Sequence, residues 1–157
     1  LKLRVLAVGT RMPGWVVQGV ETYRKRMPRE MTLEFVEISP GQRSKSADPE
    51  RAVRTEGDRL LATLKGSELM VALDVEGSSW STPELAERMS QWQMGGSDVA
   101  LLVGGPDGLD RRCLQRADQR WSLSPLTLPH PLVRVMLAEQ LYRGWSLLSG
   151  HPYHRSG

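Results

Sequence analysis

Residues Val99 to Gly108 read VALLVGGPDG, and the first half of that stretch decides the fold. Five apolar residues in a row predict a strand covered on both faces, because a strand with one wet face alternates apolar and polar side chains. The chain then turns abruptly. Gly104, Gly105 and Gly108, set around Pro106 and Asp107, let the backbone approach a ligand closely and leave N–H groups free to meet it. The spacing is neither GxGxxG nor GxxxxGK[ST]. That sets aside a dinucleotide fingerprint and a phosphate-binding loop, leaving a buried strand that feeds a tight glycine turn.

Working outward, the same alternation of strand and helix repeats. Lys2 to Val8 (KLRVLAV) is a second buried strand, stopped by Gly9, and Pro13 opens a helix through Arg26 with Trp15, Val16, Val20 and Tyr23 on its apolar side. Leu33 to Ile38 alternates as another strand. Ser39 to Ala47 (SPGQRSKSA) lacks periodicity and reads as a mobile polar loop. Asp48 and Pro49 suit the cap and first position of a helix whose face carries Val53, Gly57, Leu60, Leu61 and Leu64, closed by Gly66. Leu69 to Val75 (LMVALDV) is the most continuous apolar run and predicts a central strand. Asp74, near its end, is either a ligand contact or a cap on the following turn, since ligands of α/β domains gather outside the carboxyl ends of strands. Thr82 and Pro83 start a helix ended by Gly95 and Gly96, with Leu85, Ala86, Met89 and Trp92 inward.

Beyond the glycine turn, Asp110 to Asp118 predicts a short basic helix and Trp121 to Leu123 a fifth strand. A long helix then opens at Pro131, with Val135, Leu137, Leu141, Trp145 and Leu148 at helical spacing over roughly 27 Å. Five strands alternating with helices make an α/β fold: a parallel sheet with helices on both faces. With no repeat or boundary, residues 1–157 form a single domain.

Composition bounds the function. A chain of 157 residues can bury roughly 70% of its unfolded surface without staples. Cys113 is alone, so no internal disulfide and no cysteine metal site can form, which suits a reducing compartment. With no apolar run of membrane-spanning length and no signal pattern, the expectation is a cytoplasmic protein that binds neither membrane nor metal. Charge is unevenly placed. Residues 1–65 hold 13 basic and 8 acidic side chains, residues 66–100 hold 1 and 6, and residues 101–157 hold 7 and 4. Seventeen of the 21 basic residues are Arg, the cation suited to phosphate and to stacking on bases, which favours an acidic partner such as RNA.

The chemistry concentrates at the end. Leu123 to Arg155 contains all three histidines, His130, His151 and His154, together with Arg134, Arg143 and Arg155. Read together, LLVGGPDG, WSLSPLTLPHPLVRVMLAEQLYRGWS and HPYHR closely resemble the bacterial ribosomal RNA large subunit methyltransferase H family, the smallest members of the SPOUT superfamily. The resemblance spans the whole chain from KLRVLAVGT onward. Its departures are Leu1, where an initiator methionine is expected, and Ser156 and Gly157 beyond the usual ending.

This resemblance implies several things that periodicity does not show. The C-terminal part, about residues 99–150, is expected to thread into a trefoil knot, an exception to the rule against knots, and two chains to form a homodimer. The implied reaction is methylation of N3 of a pseudouridine in large-subunit (23S) rRNA on the assembled ribosome, with S-adenosylmethionine as cofactor. Motif matching puts the cofactor pocket at Leu73, Gly104, Gly105 and Leu123, Ser124, Pro125, Leu126, Thr127 and Leu128. The tail, residues 151–157, would engage the substrate and order around it: Tyr153 by stacking on a base, His154 by accepting a proton and Arg155 by steadying an imidate oxygen, although backbone groups and water can fill the last two roles. His130, between two prolines at a helix start, reads as a structural turn residue. Arg134 and Arg143 suit the dimer or RNA phosphates, and Arg143 equally suits a surface pair with Glu139. The alternative is a non-catalytic nucleotide- or RNA-binding module, since a fold alone supports either.

Overall fold

The computed structural model describes residues 1–156; Gly157 and the side chain of Ser156 lie outside the described part. The chain runs β1 (Lys2–Val8), α1 (Gly14–Arg24), β2 (Thr32–Ile38), α2 (Pro49–Thr63), β3 (Leu69–Ser79), α3 (Thr82–Gly95), β4 (Val99–Val103), α4 (Arg111–Arg116), β5 (Gln119–Ser122) and α5 (His130–Ser149). A 3-10 turn, Pro152–Ser156, closes it. All five strands are parallel, in the order β2-β1-β4-β3-β5. Every residue of β4 is buried, as its unbroken apolar run requires of a central strand.

Alternate side chains of the strands feed two cores. Leu3, Val5 and Ala7 of β1 and Val99, Leu101 and Val103 of β4 pack with Leu85, Met89 and Trp92 of α3 and Leu137, Ala138 and Leu141 of α5. Leu6 and Val8 of β1 with Ala100 and Leu102 of β4 face the other way, onto Leu60 of α2 and Cys113 of α4. Helices therefore cover both faces. At the amino edge, Arg4 points into the second layer and is closed off by a bidentate pair with Glu68, both oxygens at 2.7 Å, and by the carbonyl of Thr63.

The elements start and stop where local chemistry dictates. Asp48 and Ser81 accept hydrogen bonds from Glu50 N–H and Glu84 N–H at the starts of α2 and α3, each with proline just inside. Gly96 and Gly150 end α3 and α5 in the left-handed conformation. α5 begins one residue before Pro131. α1 stops at Arg24, short of the expected Arg26.

Two expectations need correction. β3 continues past Val75 to Ser79, because an irregularity between Leu73 and Ser78 lets both face Trp121 across to β5. Gly77 permits this: a Cβ there would lie 2.8 Å from the Arg120 carbonyl carbon. The loop before α2 is not a free segment at its start. Gly41 is buried against α2 and donates its N–H to Glu56 at 2.9 Å. Among the described residues, no helix is long and apolar enough to cross a membrane.

Candidate active site

At the carboxyl edge of the sheet, β3 leads to α3 on one face and β4 leads to α4 on the other. Diverging connections open a crevice between strand ends, the usual ligand position in open α/β sheets. An open cleft lies there, lined mainly by apolar side chains and glycine backbone, the make-up common to small-molecule sites. Its floor is Leu73 of β3, just before the irregularity, with Val103 and Trp121 at the ends of β4 and β5, and its rim is Gly104, Gly105 and Gly108. Leu123, Ser124, Leu126 and Leu128 close one side, with His130 and Val133 from the first turn of α5.

The glycine turn owes its shape to its composition. Gly108 N–H bonds the Gly105 carbonyl at 3.0 Å around Pro106 and Asp107, and Gly108 takes φ +80. A Cβ on Gly104 would stand 2.5 Å from the Gly108 carbonyl carbon, so the turn closes on a backbone that only glycine admits. The leucine segment is held by its own hydroxyls: Ser122 donates to the Ser124 carbonyl, and Ser124 Oγ accepts the Leu126 N–H at 2.9 Å. Trp121 is braced from beneath by Trp80, stacked 4.8 Å away.

Most of the residues expected around a cofactor line this cleft: Leu73, Gly104, Gly105, Leu123, Ser124, Leu126 and Leu128. Pro125 and Thr127 share the segment but are exposed and do not line it. Asp74 fits both of its readings, lining the cleft while accepting the Glu76 N–H at 3.2 Å. Sequence reasoning missed Trp121 and treated His130 as purely structural. His130 lines the cleft, and its Nδ1 is buried without a hydrogen-bond partner. Burial, then the charge of Arg134, pull its pKa below the ordinary histidine value.

The cations of α5 divide. Arg134 is buried, pairing with Glu37 at 2.7 Å and donating to the Gly9 carbonyl at 2.9 Å; it is a tie between α5 and the ends of β1 and β2. The expectation that it meets RNA phosphates or a second chain is corrected, since its guanidinium is 4% exposed. Arg143 pairs with Glu139 one turn before it, at 2.6 Å.

The tail is not at this cleft. Tyr153 donates its hydroxyl to Glu139 at 2.9 Å and packs on the Tyr142 ring 4.7 Å away, with Tyr23 edge-on. Burial, then hydrogen bonds with Tyr23 and Glu139, raise the phenol's pKa and keep it a donor. His154 Nδ1 meets Ser146 Oγ at 3.2 Å, and Arg155 is exposed. The expectation of a tail that takes shape only around a nucleotide is corrected in part: Tyr153 and His154 already rest on α5. The cleft and the tail thus occupy opposite ends of α5, and one chain does not bring Tyr153, His154 and Arg155 to Gly104 and Leu123.

A parallel sheet with a glycine-rimmed, leucine-lined cleft at the carboxyl ends of its strands defines an α/β domain with a candidate ligand site. Comparison with known proteins narrows the class. Residues 1–154 match the family model described as "Predicted SPOUT methyltransferase". Proteins named ribosomal RNA large subunit methyltransferase H are 63% identical over 155 residues in Chromohalobacter salexigens, covering 99% of this chain and 100% of that one, and 59% identical in Hahella chejuensis, covering 99% of each. The relative of that name from Marinomonas sp. is 53% identical over 99% of this chain and 100% of its own. The chain belongs to the SPOUT methyltransferases and, within them, to the ribosomal RNA large subunit methyltransferase H family. Two solved structures share the fold at 12% identity. A probable methylase family protein from Haemophilus influenzae has a TM-score of 0.58, over 96% of this chain and 69% of its own. A putative methylase family protein from Neisseria gonorrhoeae has a TM-score of 0.54, over 89% and 81%.

Proposed function

We propose that the protein transfers a methyl group from S-adenosylmethionine to N3 of a pseudouridine in large-subunit rRNA on the assembled ribosome, as a knotted homodimer. The observation that carries this reading is the cleft. Its leucine walls suit a flat, neutral base, its glycine rim leaves room and N–H groups for the polar remainder, and the relatives' names supply the class of substrate. When bound, S-adenosylmethionine supplies a methyl on a cationic sulfonium. Leu73, Leu123, Leu126 and Leu128 would hold its adenine, and Gly104 and Gly105 would leave space for the ribose and methionine parts. Holding the methyl in line with the nucleophile is most of the work such a transfer demands.

The tail provides the other half. The imide N3 must lose its proton as it takes the methyl; His154 or a bound water can accept that proton and Arg155 can steady the imidate oxygen, with Tyr153 against a base. Because Ser146, where His154 rests, stands roughly 24 Å along α5 from His130 at the cleft, a tail supplied by a second chain explains the separation better than one that crosses its own domain. A second reading, a binding module without catalysis, rests on the same cleft.

Labelled methyl transfer from S-adenosylmethionine to naked 23S rRNA, large subunits and intact ribosomes distinguishes these readings. Transfer mainly to intact ribosomes, mapping to N3 of one pseudouridine, is expected. Equal transfer to naked rRNA removes the ribosome from the reading, and cofactor binding without transfer to any of them favours the binding module.

A further inference from the structure

One cluster of charged side chains lies outside the residues assigned above, and it reaches the cleft. Glu56 of α2 is 2% exposed, a carboxylate in the second core, and such a group persists only if its oxygens are satisfied. Gly41 N–H supplies one bond, and Arg43 supplies two more from Nη1 at 2.5 Å and Nη2 at 3.2 Å. The same guanidinium uses Nε to bond Asp107 Oδ2 at 2.9 Å. Asp107 is the tip of the glycine turn whose two ends, Gly105 and Gly108, line the cleft.

We propose that Arg43 is a positioning residue of the cofactor cleft, bridging buried Glu56 to Asp107 so that α2 fixes where the glycine turn stands. This rests on the reading of the cleft as the cofactor's. The planar fork of arginine is what makes the bridge possible, since two edges of one rigid group meet two carboxylates at once. α2 backs the turn from several directions. A Cβ on Gly41 would fall 2.4 Å from the Ala52 carbonyl oxygen, which pins the Arg43 loop to α2. Gly105 faces Glu56 directly, with its Cβ position 3.5 Å from Oε1, and Gly57 lies against Asp110, the residue that caps α4 just beyond the turn. Three segments, residues 41–43, α2 and residues 105–110, thus converge on the rim.

Asp107→Asn tests the bridge with little risk to folding, because Asp107 is 42% exposed and the buried Glu56–Arg43 pair is left whole. Calorimetry with S-adenosylmethionine should show affinity lowered about tenfold, the scale of one charged hydrogen bond. The cofactor KM should rise equally, while single-turnover transfer at saturating cofactor and the melting temperature stay at parent values. Arg43→Lys, which cannot span both carboxylates, should show the same split, and Asp107→Glu should recover part of the loss. Parent-like affinity in Asp107→Asn overturns the bridge. So does a fall in melting temperature and saturated rate together with affinity, which makes the cluster a general structural tie. If the parent protein itself binds no S-adenosylmethionine, the cofactor reading fails first, so the two failures are distinguishable.

Discussion

At Gly104 the nearest atoms to a would-be methyl group are the Gly108 carbonyl carbon at 2.5 Å and the Leu109 nitrogen at 2.7 Å. Neither can step aside, because both belong to the turn that the site depends on. Gly104→Ala should therefore weaken S-adenosylmethionine binding by tenfold or more, roughly 1.4 kcal/mol at least; calorimetry giving an unchanged affinity would contradict that placement. His130 makes a different residue-scale prediction. Its pKa is lowered by burial and by Arg134, so as pH falls the unfolded chain takes up this proton before the folded one. The stability it contributes is full above about pH 6.5 and is lost as pH drops through the lowered folded value. Melting temperatures should decline across that window, and less steeply in His130→Asn. Parallel pH profiles for the two proteins would show that His130 titrates alike in both states.

Among the elements, α5 with its tail carries the most consequence. Tyr153 docks on Glu139 at mid-helix and His154 on Ser146 near its end, away from the cleft at the first turn of the same helix. Deleting Tyr153 to Gly157 should leave cofactor affinity near the parent value while lowering single-turnover methyl transfer to ribosomes by at least ~100-fold, the scale of one lost acid–base or charge-stabilising group. If affinity and transfer fall in parallel, the tail covers the cofactor and does not serve the substrate. These elements also show what sequence can carry. β4 was legible because burial on both faces demands an unbroken apolar run, β1 because only Arg4 interrupts its run after Lys2, and α2 and α3 because Asp48–Pro49 and Thr82–Pro83 are local start signals. The extension of β3 was not, since it depends on Gly77 pressing against Arg120, a contact made across 43 residues of chain. The Leu123 to Leu128 segment was found through resemblance, whereas Arg43 and Glu56 were missed because a bridge between two ordinary charges leaves no periodic or compositional trace.

At the scale of the whole molecule, helices on both faces leave the carboxyl edge of the sheet open for the cleft, and α5 carries the tail to the opposite edge. The helix sets that distance, so it belongs to the fold and does not depend on a loop's position. A site that needs both the cleft and Tyr153, His154 and Arg155 must then draw on two chains. The decisive measurement mixes two variants that the proposed two-chain site should leave inactive on their own, Gly105→Trp, which should fill the cleft, and Arg155→Ala, which should disable the tail. In a mixed dimer one composite site keeps an intact cleft and an intact tail, so methyl transfer to ribosomes should return to a substantial fraction of the parent rate. Mixed dimers that demonstrably form and stay inactive would contradict the two-chain site and place cleft and tail of each site in a single chain.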